Sequence, residues 1–172
     1  MLIEKYHLVH LSTGDLLRKE IAEGTEIGKQ VQSIMAKGEF VSDEMVVSII
    51  SGQIDKNKQA AGFIFDGFPR TVRQAEMLDR LLQSKQMEIS VVLAMDVPET
   101  ELVRRLLERG KVSGRADDQN MEVIENRIHV YHQKTEPVTG FYEAQHKFVS
   151  VDGLGTIAEI FDRLTAAIDR IA

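Results

Sequence analysis

The pattern of apolar and polar positions along the chain predicts short strands that alternate with helices. Apolar runs bounded by turn residues are typical of strands buried in a parallel sheet, and they occupy residues 7–11, 62–65, 89–97 and 148–151. Apolar residues spaced three and four apart predict helices over residues 13–23, 25–37, 42–57, 71–84, 98–109, 120–137 and 156–171, with a further short helix up to residue 145. This alternation predicts an α/β fold, a parallel sheet flanked by helices.

Two helix starts and one helix end have specific sequence signals. Thr71 with Gln74, and Thr156 with Glu159, have the spacing of a capping box, in which two side chains reciprocally bond to each other's backbone. Pro137 cannot continue a regular helix because it lacks an N–H, so it predicts the end of the helix before it.

Length and composition predict one domain, residues 1–172, without a linker or repeat. The absence of cysteine excludes disulfides and a cysteine-based zinc site, and it favours a cytoplasmic location. The net charge of −6 disfavours nucleic acid or an anionic membrane surface as the main partner. The longest apolar run, residues 91–95, is far shorter than the ~20 residues of a membrane-spanning helix.

Polar residues follow the first predicted strand directly. Residues 12–18 read Ser-Thr-Gly-Asp-Leu-Leu-Arg, so a helix begins there and offers free backbone N–H groups to an anion. Arg18 lies about one turn inside this helix. Alternatively, Ser12 or Thr13 merely caps the helix and Arg18 is a solvated charge.

The second predicted strand is followed by Asp-Gly-Phe-Pro-Arg-Thr, residues 66–71. Gly67 allows close backbone approach, and Pro69 fixes a turn that aims Arg70. Because a guanidinium binds phosphate through two donors, Arg70 is a candidate phosphate ligand. The alternative is a tight turn with Arg70 pointing to solvent.

Four further arginines form a candidate clamp for a phosphoryl group. Arg105 and Arg109 share one predicted helix face, Arg115 follows in a loop, and Arg127 lies on the next helix. Catalysis of phosphoryl transfer consists mainly of positioning and charge neutralisation, which arginines supply. Each of them taken singly is more often a surface charge. The histidines form no metal-ligand spacing, so no protein-bound metal is predicted.

These segments together resemble adenylate kinases. The segments STGDLLR, DGFPRT followed by Gln74, and ERGKVSGRADD occur in the order seen in that family, over essentially the whole chain. The resemblance implies a P-loop nucleoside monophosphate kinase fold, an AMP-binding subregion at about residues 12–41 and a short lid at about residues 108–118. It also implies conversion of ATP and AMP to two ADP with Mg²⁺, in a monomer. Without cysteine, the zinc knuckle of some long-lid relatives is excluded.

The resemblance also implies roles for individual residues. Gln74 would read adenine with its amide, and Arg109 and Gly155 would contact ATP. The implied catalytic residues are Arg70, Arg109, Arg115 and Arg127. The implied AMP contacts are Thr13, Arg18, Glu39, Phe40, Val41, Gly67, Phe68, Pro69, Arg70, Gln74, Arg115 and Arg127.

One element of the family pattern is missing from the sequence. No stretch matches G-x-x-x-x-G-K-[ST]. Residues 24–30 resemble this motif, but they have one spacer residue too few and Gln30 stands where the motif has Ser or Thr. Residues 1–6 resemble the tail of the family's first helix, so the central N-terminal strand and phosphate loop, about 18 residues, are expected to be absent. We expect weak or absent transfer from this chain, and marginal stability or self-association.

Two other functions stay open. A UMP/CMP kinase shares the GFPR turn and the arginines, although such enzymes usually have Ala where Thr13 stands, so Thr13 and Gln74 favour AMP. A non-catalytic AMP-binding remnant would keep the AMP site without transfer. A Rossmann dehydrogenase is disfavoured because no glycine fingerprint joins a strand to a helix.

Overall fold

The computed structural model describes residues 1–171 and has the predicted alternation of strands and helices. The strands are β1 (Val9–Ser12), β2 (Phe63–Asp66), β3 (Val92–Asp96) and β4 (Phe148–Asp152). The helices are α1 (Leu2–Tyr6), α2 (Thr13–Ala22), α3 (Glu26–Ala36), α4 (Asp43–Lys56), α5 (Val72–Ser84), α6 (Glu99–Ser113), α7 (Met121–Val130), α8 (Glu136–Glu143) and α9 (Ile157–Ile168). A 3₁₀ turn, Ala116–Asp118, joins α6 to α7, and a π-helical turn, Tyr131–Thr135, joins α7 to α8.

The predicted α/β fold with parallel strands is confirmed. β1 pairs with β2, from Val9 opposite Phe63 to Ser12 opposite Asp66. β3 pairs with β4 in the same parallel sense. Within residues 1–171 these four strands form two separate two-stranded sheets. A cavity of about 1300 Å³ lies between them and is lined by residues of both β2 and β3.

Most of the core lies beside the first strand pair, where the amphipathic faces of α2 to α5 and α8 meet. Val31, Ile50, Leu78 and Tyr142 are completely buried there. A smaller apolar cluster, centred on Ile124, lies between α6 and α7. This second cluster fixes α7 against α6, which positions the arginines that those helices carry. None of the helices in residues 1–171 is long and apolar enough to cross a membrane.

Two predictions about helix ends are wrong in detail. Pro137 does not end the helix before it; it stands at the start of α8 directly after the π-helical turn, where its missing N–H is tolerated. The predicted helix 98–109 continues to Ser113 and ends at Gly114, whose φ of 67° is left-handed. The extra turn brings the C-terminal end of α6 over the 3₁₀ turn.

The two predicted capping boxes have different outcomes. Thr156 and Glu159 form both reciprocal bonds at the start of α9. Thr71 accepts a bond from the backbone N–H of Gln74 at the start of α5. The side chain of Gln74, however, accepts a bond from the backbone N–H of Arg70 instead of that of Thr71. Asp43 on α4 accepts from the Nε2 of the same amide, which holds the Gln74 side chain away from the backbone N–H of Thr71.

Candidate active site

The candidate site begins where β1 and β2 end side by side. Because Ser12 lies opposite Asp66 in the parallel pair, the start of α2 and the loop after β2 are neighbours. Ser12 caps α2 by accepting from the backbone N–H of Asp15. Thr13, which is buried, donates from its hydroxyl to the backbone oxygen of Gly67 at 3.0 Å. This bond ties the two sequence motifs together.

A pocket with three arginine side chains lies beyond these strand ends. Arg18 comes from α2, Arg70 from the loop after β2, and Arg127 from α7. We call it the arginine pocket. The other lining residues are Thr13, Gly14, Leu17, Met35, Gly38, Glu39, Phe40, Val41, Val46, Gly67, Gln74 and Asp117.

Arg70 is held tightly in the turn that the sequence predicts. Its Nε donates to the backbone oxygen of Gly67 at 2.6 Å, and its guanidinium lies 5.5 Å from the ring centroid of Phe40. Gly67 has φ 68°, a left-handed backbone conformation that glycine readily adopts and other residues rarely do. Burial and the nearby charge of Arg127 lower the pKa of Arg70. A buried cation with other cations nearby favours an anionic ligand.

Arg18 and Arg115 share one carboxylate at the rim of the pocket. Asp15 Oδ1 accepts from Arg18 Nη2 at 2.6 Å and from Arg115 Nη2 at 3.0 Å. The hydrogen bond from Arg18, with the positive charges of both arginines, lowers the pKa of Asp15. Asp15 therefore links the start of α2 to the loop between α6 and α7.

Arg109 and Arg127 share a second carboxylate, that of Asp118, which is completely buried. Arg109 donates to Asp118 through Nε at 2.6 Å and Nη2 at 3.0 Å, and Arg127 Nη1 donates to Asp118 at 2.6 Å. Arg127 also donates to Asp117 at 3.0 Å. Burial alone would raise the pKa of Asp118, but the hydrogen bonds from the two arginines outweigh it and leave this pKa lowered.

The amide of Gln74 lies at the wall of the arginine pocket and is 3% exposed. Its Oε1 accepts from the backbone N–H of Arg70 at 2.8 Å. Its Nε2 donates to Asp43 Oδ1, also at 2.8 Å. Asp43 is the first residue of α4, and its carboxylate draws the Gln74 side chain away from the capping-box position.

The structure brings most of the AMP residues expected from the sequence to the arginine pocket. Those that line it are Thr13, Arg18, Glu39, Phe40, Val41, Gly67, Arg70, Gln74 and Arg127. Phe68 and Pro69 instead line the cavity between the two strand pairs, since Phe68 points into the core against Phe65. Arg115 and Arg109 are not among the lining residues of the arginine pocket; they bond to Asp15 and Asp118 beside it.

Gly155 lies apart from the arginine pocket, in the loop between β4 and α9, with φ 115°. Arg105 connects this loop to α6, because its Nη1 donates to the backbone oxygen of Gly153 at 3.0 Å. Glu101 accepts from Arg105 Nε at 2.7 Å and holds that side chain in place. Hydrogen bonds from Arg104 and Arg105 lower the pKa of Glu101 to about 2.

Sequence reasoning missed the carboxylates of the site, Asp15, Asp43, Asp117 and Asp118. Asp15 precedes Arg18 by three residues on a helix, which is a recognisable spacing for an ion pair. Asp117 and Asp118 lie in a loop, where an acidic pair is usually solvated, so no local signal marks the burial of Asp118. Among residues 1–171 no group of three or more His, Asp or Glu residues could hold a metal ion.

Comparison with known proteins identifies the family. The adenylate kinase family profile matches residues 1–147, which assigns the chain to the α/β nucleoside monophosphate kinases. This chain is 46% identical to the adenylate kinase of Parabacteroides distasonis over 171 residues, which cover 99% of this chain and 90% of the relative. It is equally identical to those of Flavobacterium psychrophilum over 168 residues (98% and 88%) and Thermus thermophilus over 158 residues (92% and 82%). The chain belongs to the adenylate kinase family, and it is a phosphotransferase.

Proposed function

We propose that the arginine pocket binds AMP and that the enzyme transfers a phosphoryl group reversibly between ATP and AMP, giving two ADP. The proposal rests on one observation. Three arginines from different elements, Arg18, Arg70 and Arg127, converge on one pocket beside the buried amide of Gln74. Convergent arginines attract a phosphate dianion, and an amide can pair with the edge of a base. Mg²⁺ enters with ATP as part of the substrate.

Within this proposal different residues of the pocket bind different parts of AMP. Arg18, Arg70 and Arg127 bind the AMP phosphate, with Thr13 and Gly67 fixing the turn between them. Gln74 reads the base, against a wall formed by residues 39–41. Phe68 and Pro69 act indirectly, because they shape the loop that carries Arg70.

The remaining arginines serve the transferred group and ATP. Arg115 would exchange its carboxylate partner for phosphate oxygens, which bind guanidinium groups at least as strongly. Arg109 would keep its two bonds to Asp118 and contact ATP through its remaining N–H groups. The lid, about residues 108–118, contains the end of α6, Arg115 and the 3₁₀ turn, so its movement would carry Arg109 and Arg115 together. Gly155 would approach the ATP base through its backbone, in a loop that Arg105 holds.

We also propose that the 172-residue sequence tested by itself transfers phosphate slowly. It contains no phosphate-loop motif to hold ATP. Losing a single positioned donor costs about 10²–10³ in rate in measured cases. The enzyme is proposed to be a single cytoplasmic domain and a monomer, with self-association of this chain as an outcome to be measured.

The test separates binding from transfer. AMP, UMP and CMP are titrated by calorimetry into the purified chain, and ADP formation from ATP, Mg²⁺ and AMP is measured in parallel. A second chain carries a strand and a phosphate loop ahead of Ile3. AMP binding by both chains with much faster transfer by the longer one supports the proposal. Preferential binding of UMP or CMP, or no nucleotide binding by either chain, overturns it.

A second candidate is an AMP-binding protein without catalysis. The observation that favours it is that the arginine pocket is formed entirely by residues of this chain and needs no phosphate loop. AMP binding with no transfer by either chain would establish that function instead.

A further inference from the structure

The amide of Gln74 is held on both of its sides by protein groups. Arg70 donates its backbone N–H to Oε1 at 2.8 Å, and Nε2 donates to Asp43 Oδ1 at 2.8 Å. Gln74 is 3% exposed, and the Asp43 side chain is 20% exposed. Both contacts are therefore largely shielded from water, which strengthens them and makes their loss costly.

The chemistry of the two partners leaves only one orientation for this amide. A backbone N–H can only donate, and an ionised carboxylate can only accept. Turning the Gln74 amide over would place its oxygen against the carboxylate of Asp43 and its NH₂ against the N–H of Arg70. The N–H of Arg70 would then lose its acceptor, and like dipoles would oppose each other at both contacts. The orientation follows from the partners and needs no other assignment.

With the phosphate held by the arginines of the pocket, the position of the base is set, and a fixed amide can then pair with only one kind of base edge. Its oxygen keeps a second lone pair and its nitrogen keeps a second N–H. In the fixed orientation the oxygen accepts from an amino group and the N–H donates to an unprotonated ring nitrogen, which is the edge that adenine presents. Hypoxanthine, guanine and uracil present an oxo group and a ring N–H, so they require the reversed amide.

We propose that Asp43 is the positioning residue that sets base specificity: it locks the Gln74 amide in the orientation that accepts amino-bearing bases and rejects oxo-bearing ones. The inference rests on the proposed function, in which Gln74 reads the base. Asp43 is not among the described residues that line the arginine pocket, so it acts through Gln74. Its position as the first residue of α4, after the Ser42 cap, fixes its carboxylate relative to α5.

The test compares AMP with inosine monophosphate (IMP), which has the same size and phosphate but an oxo group and a ring N–H. Both are titrated by calorimetry into the full chain as wild type, Asp43→Ala and Glu44→Ala. Glu44 is the matched control, because it removes the same charge from the same helix turn and pairs with Arg73 instead of Gln74. We expect the wild type and Glu44→Ala to prefer AMP, and Asp43→Ala to lose roughly 10- to 100-fold of that preference.

The readout is a ratio of two dissociation constants, so a partly unfolded sample does not change it. If Asp43→Ala does not fold, Asp43→Asn takes its place, because the amide of that variant can offer either an oxygen or an N–H to a reversed Gln74. A preference for AMP that survives in the folded variant overturns the inference, as does a wild type that binds AMP and IMP equally. A wild type that binds neither nucleotide overturns the proposed function itself.

Discussion

The guanidinium of Arg109 donates two hydrogen bonds to the buried carboxylate of Asp118, at 2.6 and 3.0 Å. The same carboxylate accepts a third from Arg127, at 2.6 Å. Two arginines on consecutive helices are thus joined through one acid. Their separation is fixed before any nucleotide binds, and such preorganisation lowers the cost of neutralising a phosphoryl group in transit.

Asp118→Asn is expected to loosen both arginines. The amide is neutral and offers one acceptor oxygen, so at least one of the three hydrogen bonds is lost, at a cost of roughly 1–3 kcal/mol of unfolding free energy. For a domain of this size the melting temperature should fall by roughly 3–10 °C. Asp117→Asn is the control, because Asp117 bonds to Arg127 alone in this cluster. Equal losses in the two variants, measured by calorimetric melting, would contradict the bridging role.

The carboxylate of Asp118 should also make the stability of the fold depend on pH. The pKa of Asp118 in the folded chain lies below its ordinary value of 3.8, so its contribution is complete above that value and is lost as pH falls through it towards the folded pKa. The gap in melting temperature between wild type and Asp118→Asn should therefore narrow as pH falls from about 5 to about 2. A gap that stays constant over this range would show that Asp118 is not titrating with folding.

Gly110→Ala is expected to disturb Asp118 without touching its charge. A Cβ at Gly110 would lie 2.6 Å from the backbone oxygen of Asp118, so α6 and the 3₁₀ turn must move apart. Such overpacking costs roughly 1–3 kcal/mol. Gly52→Ala on α4 is the control: a Cβ there meets no atom within 4 Å, and the change should stabilise the helix by about 0.5–1 kcal/mol. The melting temperatures of both variants are measured by calorimetry. A Gly110→Ala variant that melts at the same temperature as the wild type would refute the close contact.

Local sequence signals predicted the elements because each depends on neighbours in the chain. The Thr156–Glu159 capping box formed because both of its bonds lie within four residues of the chain. The strands and the turn after β2 followed from apolar runs and from Gly67, whose φ of 68° glycine readily adopts. The order of the three motifs predicted a set of AMP-binding arginines, of which Arg18, Arg70 and Arg127 line one pocket.

Contacts between distant segments set the details that the sequence could not predict. Gln74 has the capping-box spacing, yet its amide bonds to Asp43, 31 residues earlier, because folding brings α4 against α5. Asp118 looks like a solvated loop residue until α6 and α7 close around it and bring two guanidinium groups to its carboxylate. Carboxylates whose partners lie on other elements carry no local pattern, so the arginines were predicted and their acids were not.

Arg70→Lys tests whether the fork of the guanidinium, beyond its charge, binds the AMP phosphate. Lysine keeps the charge but loses the planar pair of donors and the bond from Arg70 Nε to Gly67. We expect AMP affinity to fall roughly 10- to 100-fold, since hydrogen bonds to charged groups contribute about 1.5–3 kcal/mol. Arg73→Lys is the control, three residues further on and exposed, and it should bind AMP like the wild type. Calorimetric titration of both variants with AMP measures this, and a normal affinity in Arg70→Lys would exclude Arg70 as a bidentate phosphate ligand.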